Sequence, residues 1–372
     1  MDNKENKTLN VPTLRFRFNN DKWAEYPNSV LFSISSKKNH DGKESLVLSA
    51  SQEKGMIPRN QNGIDIKYSE ESVFAYKIIE NGDYVIHLRS FQGGFAFSRF
   101  NGICSPAYTV LKPNKEILSN GFLENYFTSK KFIYSLRTVT FGIRDGKSIS
   151  VDQWMTQSLF IPSKNEQEKI IAFIQKINSR IEVQNKIIEY YESLIKGLCD
   201  KIFRHDKSVC LFDLVKCKTS TLQENEVATY YNGEYNVFGA SGIIASINKY
   251  QFEEDGILVL KDGSKAGKIQ YAGGKYSVVG TSVVLIPNNA DAARYLYFAM
   301  LSIDFDKYKV GSGIPHIYFK DYSYERIYYP NSALRAKIAK VLDAYETKVK
   351  IEKEMLSALQ KQKAFLLQSM FI

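Results

Sequence analysis

The sequence predicts a mixed α/β fold built twice: two bodies of strands and short helices, each followed by one long coiled-coil helix. Three observations carry this. The chain repeats itself, each repeat closes on a sustained heptad pattern, and 372 residues suit two or three domains.

The repeat is clearest where each helix begins. Leu159-Phe160-Ile161-Pro162, followed by Glu166-Gln167-Glu168-Lys169-Ile170, recurs as Ile327-Tyr328-Tyr329-Pro330 with Leu334-Arg335-Ala336-Lys337-Ile338. In the same register, residues 198–203 fall on residues 366–371. Upstream, residues 84–94 match 257–267, and residues 107–111 resemble 281–285. The offset drifts by a few residues between these matches, as loop insertions within a duplicated unit would produce.

Both long helices carry the same seam. Alternating steps of four and three from Ile170 give Ile174, Ile177, Ile181, Gln184, Ile188, Tyr191, Ile195, Leu198 and Ile202. From Ile338 they give Leu342, Tyr345, Val349, Glu352, Leu356, Leu359, Lys363, Leu366 and Met370. This 3.5-residue period predicts helices over 163–204 and 332–372, with about 38 residues of each forming a rod of roughly 55 Å. Pro162-Ser163 and Pro330-Asn331-Ser332 supply the starts. Gln184 and Glu352 hold equivalent positions near the middle of each seam. Buried, they would fix register; at a wet edge, they would do nothing.

The segments between are mixed. In the first body, 1–160, residues 45–48 and 84–88 read as strands and 121–134 as a helix, with a polar tail over 1–11 expected to be disordered. In the second, 205–330, residues 256–260, 276–279 and 282–286 read as strands and 292–301 as a helix. Each body is large enough to bury its own core.

Composition narrows the function. Apolar residues make up 44% and charged residues 24%, which excludes a mainly disordered chain. No apolar run has the length of a membrane span, and the polar start does not read as a secretory signal. Four cysteines without a C-x-x-C pair exclude the usual zinc spacings and suit a reducing, cytoplasmic setting. Phe238-Gly-Ala-Ser-Gly242 and Ser105-Pro-Ala-Tyr108 each miss a central residue of the loops an amino-methyltransferase needs. Scattered histidines, short Asp-x-Lys turns and the absence of a Walker loop argue against a metal nuclease or an ATP-driven motor. No catalytic residue, metal ligand set or cofactor site is therefore expected in this chain.

A net charge of +10 points to a polyanion, nucleic acid first. Lys261-Asp-Gly-Ser-Lys-Ala-Gly-Lys268 follows a strand and combines lysines with glycines that let a phosphate approach the backbone. Its counterpart is Arg89-Ser-Phe-Gln-Gly-Gly94, with Arg99 beyond it. A third pair of loops, Gly311-Ser-Gly-Ile-Pro-His-Ile317 and Phe141-Gly-Ile-Arg-Asp-Gly-Lys-Ser148, stands shortly before each long helix. Singly, each loop also reads as a solvated hairpin; together, in a duplicated basic chain, they favour DNA.

Two basic bodies alternating with two coiled-coil helices, each helix announced by an apolar-Pro step and Glu166-Gln167-Glu168-Lys169-Ile170, resemble the specificity (S) subunit of type I restriction–modification enzymes. Pro12-Thr-Leu-Arg-Phe16 with Trp23, Gly239-Ala-Ser-Gly242, Lys261-Asp-Gly-Ser264 and Gly280-Thr281 add to the likeness. The second copy departs from the signature, with Leu334-Arg335 in place of Glu166-Gln167. The resemblance implies two target-recognition domains separated by an antiparallel coiled coil with pseudo-twofold symmetry. They would read a bipartite site in double-stranded DNA without catalysing anything. It also implies two modification (methyltransferase) subunits carrying S-adenosylmethionine and, through them, restriction subunits using ATP and Mg. On this footing Arg89, Gln92, Arg99, Arg144 and Lys147 in the first domain are expected to contact DNA. Lys261, Ser264, Lys265, Lys268, Ser312 and His316 are their counterparts in the second. Two alternatives stay open: a specificity component serving a fused methyltransferase–nuclease chain, and a noncatalytic nucleic-acid-binding scaffold.

Overall fold

The computed structural model describes residues 11–17, 21–51, 54–61, 70–87, 94–141, 148–204, 208–227, 232–311 and 313–372. The chain forms two compact units, residues 1–183 with 356–372, and residues 184–355. The long helices, Lys164–Phe203 (α1) and Ser332–Ser369 (α2), each contribute a stretch to both units.

In the first unit the strand Ala24–Pro27 pairs antiparallel with Ser158–Ile161, bringing the start of the body to the root of α1. Between them lies a four-stranded antiparallel sheet in the order Phe32–Ser35, Thr109–Pro113, Tyr84–Ile86, Phe95–Phe97. Alternation along its strands builds two cores. Tyr84, Ile86, Phe95, Phe97 and Leu111 face a cluster with Phe127, Phe132 and Trp154. Val85, Ala96 and Val110 face Leu48, Met56 and Cys104. Two expected elements come out differently. The strand expected at 45–48 is Leu48–Ser51, paired with Gly55–Pro58. The helix expected over 121–134 is two short helices, Glu124–Phe127 and Lys130–Ser135. Ser129 divides them because its Oγ accepts the Phe132 N–H at 3.2 Å, restarting the helix with a fresh cap.

The second unit repeats the plan. Val209–Cys210 pairs with Arg326–Ile327 at the root of α2. Its sheet runs Val215–Thr219, Ser282–Pro287, Gly256–Leu260, Ile269–Ala272, the same order by position in the unit. Registers agree as well: Tyr84 stands opposite Leu111 in the first unit and Ile257 opposite Leu285 in the second, at the positions the sequence repeat aligned. A three-stranded sheet of Gly242–Ile247, Tyr235–Gly239 and Tyr276–Val278 adds to this unit. The helix Ala293–Met300 is buried along most of its length. One small clamp recurs in both units. The Asn114 N–H and side-chain amide donate to the carbonyls of Leu31 and Val30. Those of Asn288 donate to Leu214 and Asp213.

All four cysteines are free, and burial pushes the Cys104 and Cys199 thiols up to about 12. Among the described residues no helix is long and apolar enough to cross a membrane.

Candidate DNA interface and helix junctions

Three loops distant in sequence meet at one edge of the second unit. The first, 261–268, leaves the strand Gly256–Leu260 and folds back on it. Leu260 N–H donates to Lys268 O at 2.9 Å, and Gly267 N–H to Leu260 O at 2.8 Å. Gly263 and Gly267 both adopt φ of +91°, and a Cβ on Gly267 would stand 2.5 Å from Phe305 Cβ, so this turn requires glycine. The second loop, 310–317, is stitched to the first through His316, whose backbone bridges Val310 on one side and Asp262 on the other. Gly263 N–H donates to Pro315 O at 3.0 Å and Ile317 N–H to Lys261 O at 2.9 Å. The third, the turn 239–242, is held by Gln270, whose Nε2 donates to Gly239 O at 2.8 Å. Lys268 Nζ lies 3.5 Å from Ala240 O, a weak tether that leaves the ammonium free to swing.

Ser264, Lys265 and Lys268 are exposed on this edge, while Lys261 and His316 are half-buried. His316 Nδ1 lies 2.8 Å from Asp262 Oδ1. Ser312 lies outside the described residues. The structure therefore gathers Lys261, Ser264, Lys265, Lys268 and His316 into one group of loops, an edge able to donate several hydrogen bonds to phosphate.

The corresponding candidates of the first unit are mostly not placed: Arg89, Gln92, Arg144 and Lys147 lie outside the described residues. Arg99 is described, and it is already engaged. Its guanidinium is ion-paired with Glu124 and lies 5.7 Å from the centroid of the Phe97 ring. Burial raises the Glu124 carboxyl, and Arg99, with Lys363 behind it, opposes that rise, so a move of Arg99 to DNA would take away the larger part of this compensation. The first unit also carries a cleft of about 990 Å³ of mixed charge, where Lys37, Lys38, His40 and Lys43 stand beside Asp41, Glu44 and Glu80. Its signal in the sequence was the lysine-rich run 37–43.

Helix roots explain the signature. Glu166 is buried, and Arg15 clasps it with two hydrogen bonds of 2.7 and 2.6 Å. Gln167 is fully buried; its Nε2 donates to Ile117 O at 2.8 Å and Pro162 O at 2.9 Å, and its Oε1 accepts Ser119 N–H at 2.7 Å. In the second copy Arg335 stands where Gln167 does and donates to the carbonyl of Pro330, the counterpart of Pro162. Its guanidinium lies 4.0 Å from the centroid of the Tyr329 ring. The departure in sequence preserves the contact.

Along the seam, Ile170, Ile174, Ile188, Leu342, Val349, Leu359 and Leu366 are buried. Ile177, Ile181, Tyr191, Ile195, Leu198, Tyr345 and Leu356 are half-buried. In the first unit the early turns of α1 cluster with the last turns of α2, Ile170 and Ile174 with Leu366, Leu367, Met370 and Phe371. In the second, Tyr191 meets Tyr345 at 6.3 Å between ring centroids, and Gln184 meets Glu352. In the second unit rising numbers on one helix thus face falling numbers on the other, so the pair is antiparallel there. Gln184 and Glu352, 168 residues apart, are both buried and hydrogen-bonded to one another: Gln184 Nε2 donates to the Glu352 carboxylate and, at 3.1 Å, to its backbone carbonyl. Lys348, at 2.6 Å, and then Gln184 hold the Glu352 carboxyl below the usual carboxylate range. Of the two possibilities for these residues, the buried one is observed.

Residues 207–361 match the family model of the type I restriction modification DNA specificity domain. The second unit therefore carries a DNA specificity domain. Over the whole chain the fold is similar to the crystal structure of a type I restriction–modification system S subunit from M. genitalium. Identity is 18% and the TM-score 0.60, with 97% of this chain and 99% of that one covered. It is also similar, at 14% identity and a TM-score of 0.54, to a chain from a structural study of complex assembly and conformational transition of the type I R-M system. There the coverage is 93% of this chain and 96% of that one. No curated protein matches it in sequence. With that domain in the second unit and the same plan repeated in the first, the whole chain has the fold of the type I S subunit structures it is similar to.

Proposed function

We propose that the chain reads a bipartite site in double-stranded DNA, one half-site by each body, with the helix pair setting the spacer between them. The observation that carries this is the repeat itself: one strand order, one asparagine clamp and one proline-carbonyl junction, each occurring twice. Two equivalent reading bodies suit two half-sites and two copies of a partner. The outer faces of the helices dock two modification subunits that bind S-adenosylmethionine and methylate adenine. Restriction subunits using ATP and Mg join through them. Mapping methylated adenines in cells that express the chain with an adenine methyltransferase partner should return one motif of two short blocks around a fixed unspecified spacer. A single continuous motif, or methylation without sequence preference, overturns the proposal.

Within this reading Lys268 contacts phosphate. Lys268→Ala should weaken binding about equally on all sequences and reduce the salt slope of log K by about one. Relaxed sequence choice at an unchanged salt slope contradicts the assignment. Lengthening α1 after Ile170 by about one turn, with a matching insertion opposite it in α2, should change the spacer and leave both half-site sequences as they were. A changed half-site preference counts against the spacer role.

A further inference from the structure

We propose that His316 reads a base in the half-site of the second body, and that Asp262 is the positioning residue that decides which ring nitrogen faces the DNA. The inference rests on the function proposed above and names the atom that performs part of it. Four observations point there. His316 is pinned on both sides of its backbone, to Val310 and to Asp262, so its Cα is as fixed as a strand residue although it lies in a loop. Gly311, at φ of +98° and with the Ile314 carbonyl 2.8 Å from where a Cβ would stand, closes the loop tightly around it. Nδ1 is engaged by Asp262 Oδ1 at 2.8 Å, whereas Nε2 has no hydrogen-bond partner among the described residues. Lys265, Ser264 and Lys268 are exposed on the loop that Asp262 shares, and they supply phosphate donors beside the ring.

The chemistry follows from the carboxylate. An ionised carboxylate only accepts, so the nitrogen facing Asp262 carries the hydrogen, and in the neutral form of an imidazole held this way Nε2 is the acceptor. In the major groove the groups that donate to an acceptor are the exocyclic amines of adenine and cytosine. His316 therefore selects an amino-bearing base at one position. A side chain with two fixed ends and one free nitrogen is preorganised for such a contact, and phosphate binding alone, which any of the lysines provides, does not need a fixed tautomer.

The test uses the full-length chain and a pool of random-sequence DNA duplexes, selected at mildly alkaline pH, where an ordinary imidazole is neutral. Wild type should select a two-block motif with adenine or cytosine at one position that His316→Ala loses, the preference there falling at least about fivefold while the other block is unchanged. Asp262→Asn keeps size and shape but lets the side chain donate to Nδ1, which turns Nε2 outward as a donor. The preference at that position should move toward guanine, whose groove edge only accepts through O6 and N7. His316→Gln, which keeps a hydrogen-bonding atom near Nε2, should restore discrimination in part. Cooperative melting of each variant and an unchanged other block separate these effects from collapse of the loop. The proposal is overturned if all variants select the wild-type motif, or if His316→Ala weakens binding on every sequence alike. If wild type itself selects no motif, the reading of the chain as a sequence-specific DNA binder fails, and this proposal fails with it.

Discussion

Phe371→Ala is expected to remove about 3–5 kcal/mol of stability from the first unit. The ring is 3% exposed and packs inside the aromatic core of that unit. It stacks on Tyr126 at 5.1 Å, with Phe122 at 5.5 Å and Trp23 edge-on at 6.3 Å. Truncation would lose the transfer free energy of the ring and leave a cavity among rigid neighbours, which relax little. The loss also has a mechanical side, because this ring fastens the end of α2 into the first unit. Phe203, at the same position of the repeat, does the same for the end of α1 in the second unit, where its ring lies 5.4 Å from Tyr295. Phe203→Ala should therefore cost a similar amount there. Urea unfolding followed by circular dichroism measures both, and a cost under about 1 kcal/mol for either would show that the helix ends are not anchored in this way.

Gln167→Leu is expected to cost about 3 kcal/mol or more, a large effect for a change of similar volume. Leucine would leave two carbonyls, Ile117 and Pro162, and the Ser119 N–H without their partner at a buried site. Arg335→Leu should cost less, about 1–2 kcal/mol, because the protein bond it loses is the one to Pro330, together with the guanidinium against the Tyr329 ring. Chemical denaturation of the two variants side by side distinguishes them. Equal costs would mean that the loop 117–119 does not depend on the glutamine amide.

Much of this architecture was legible because it is written in local periods. The seam is visible as steps of four and three, and the sheet strands appear wherever the repeat aligned two apolar runs, as at 84–86 with 257–259. What stayed hidden is nonlocal or carried by one residue. Ser129 divides a helix whose apolar spacing continues past it, since a cap is a single hydroxyl and competes locally with a stronger pattern. Asn114 and Asn288 are single letters in loops, and only the structure reveals that both clamp the same turn. On the candidate interface, the lysines of 261–268 could be chosen by type, but their meeting with 310–317 and 239–242 depends on backbone ladders between segments far apart in sequence. Arg99 shows the converse. Its residue type suggests DNA, and only the structure reveals that Glu124 already pairs with it.

The junction at the two prolines bears on how such a chain can change over generations. An amide in one copy and a guanidinium in the other reach the same carbonyl, so the joint tolerates a new spelling as long as a donor of suitable reach arrives there. Halves fastened this way can drift apart in letters while the proline carbonyl at each helix root keeps its donor. Novel loops can then be tried on an old frame.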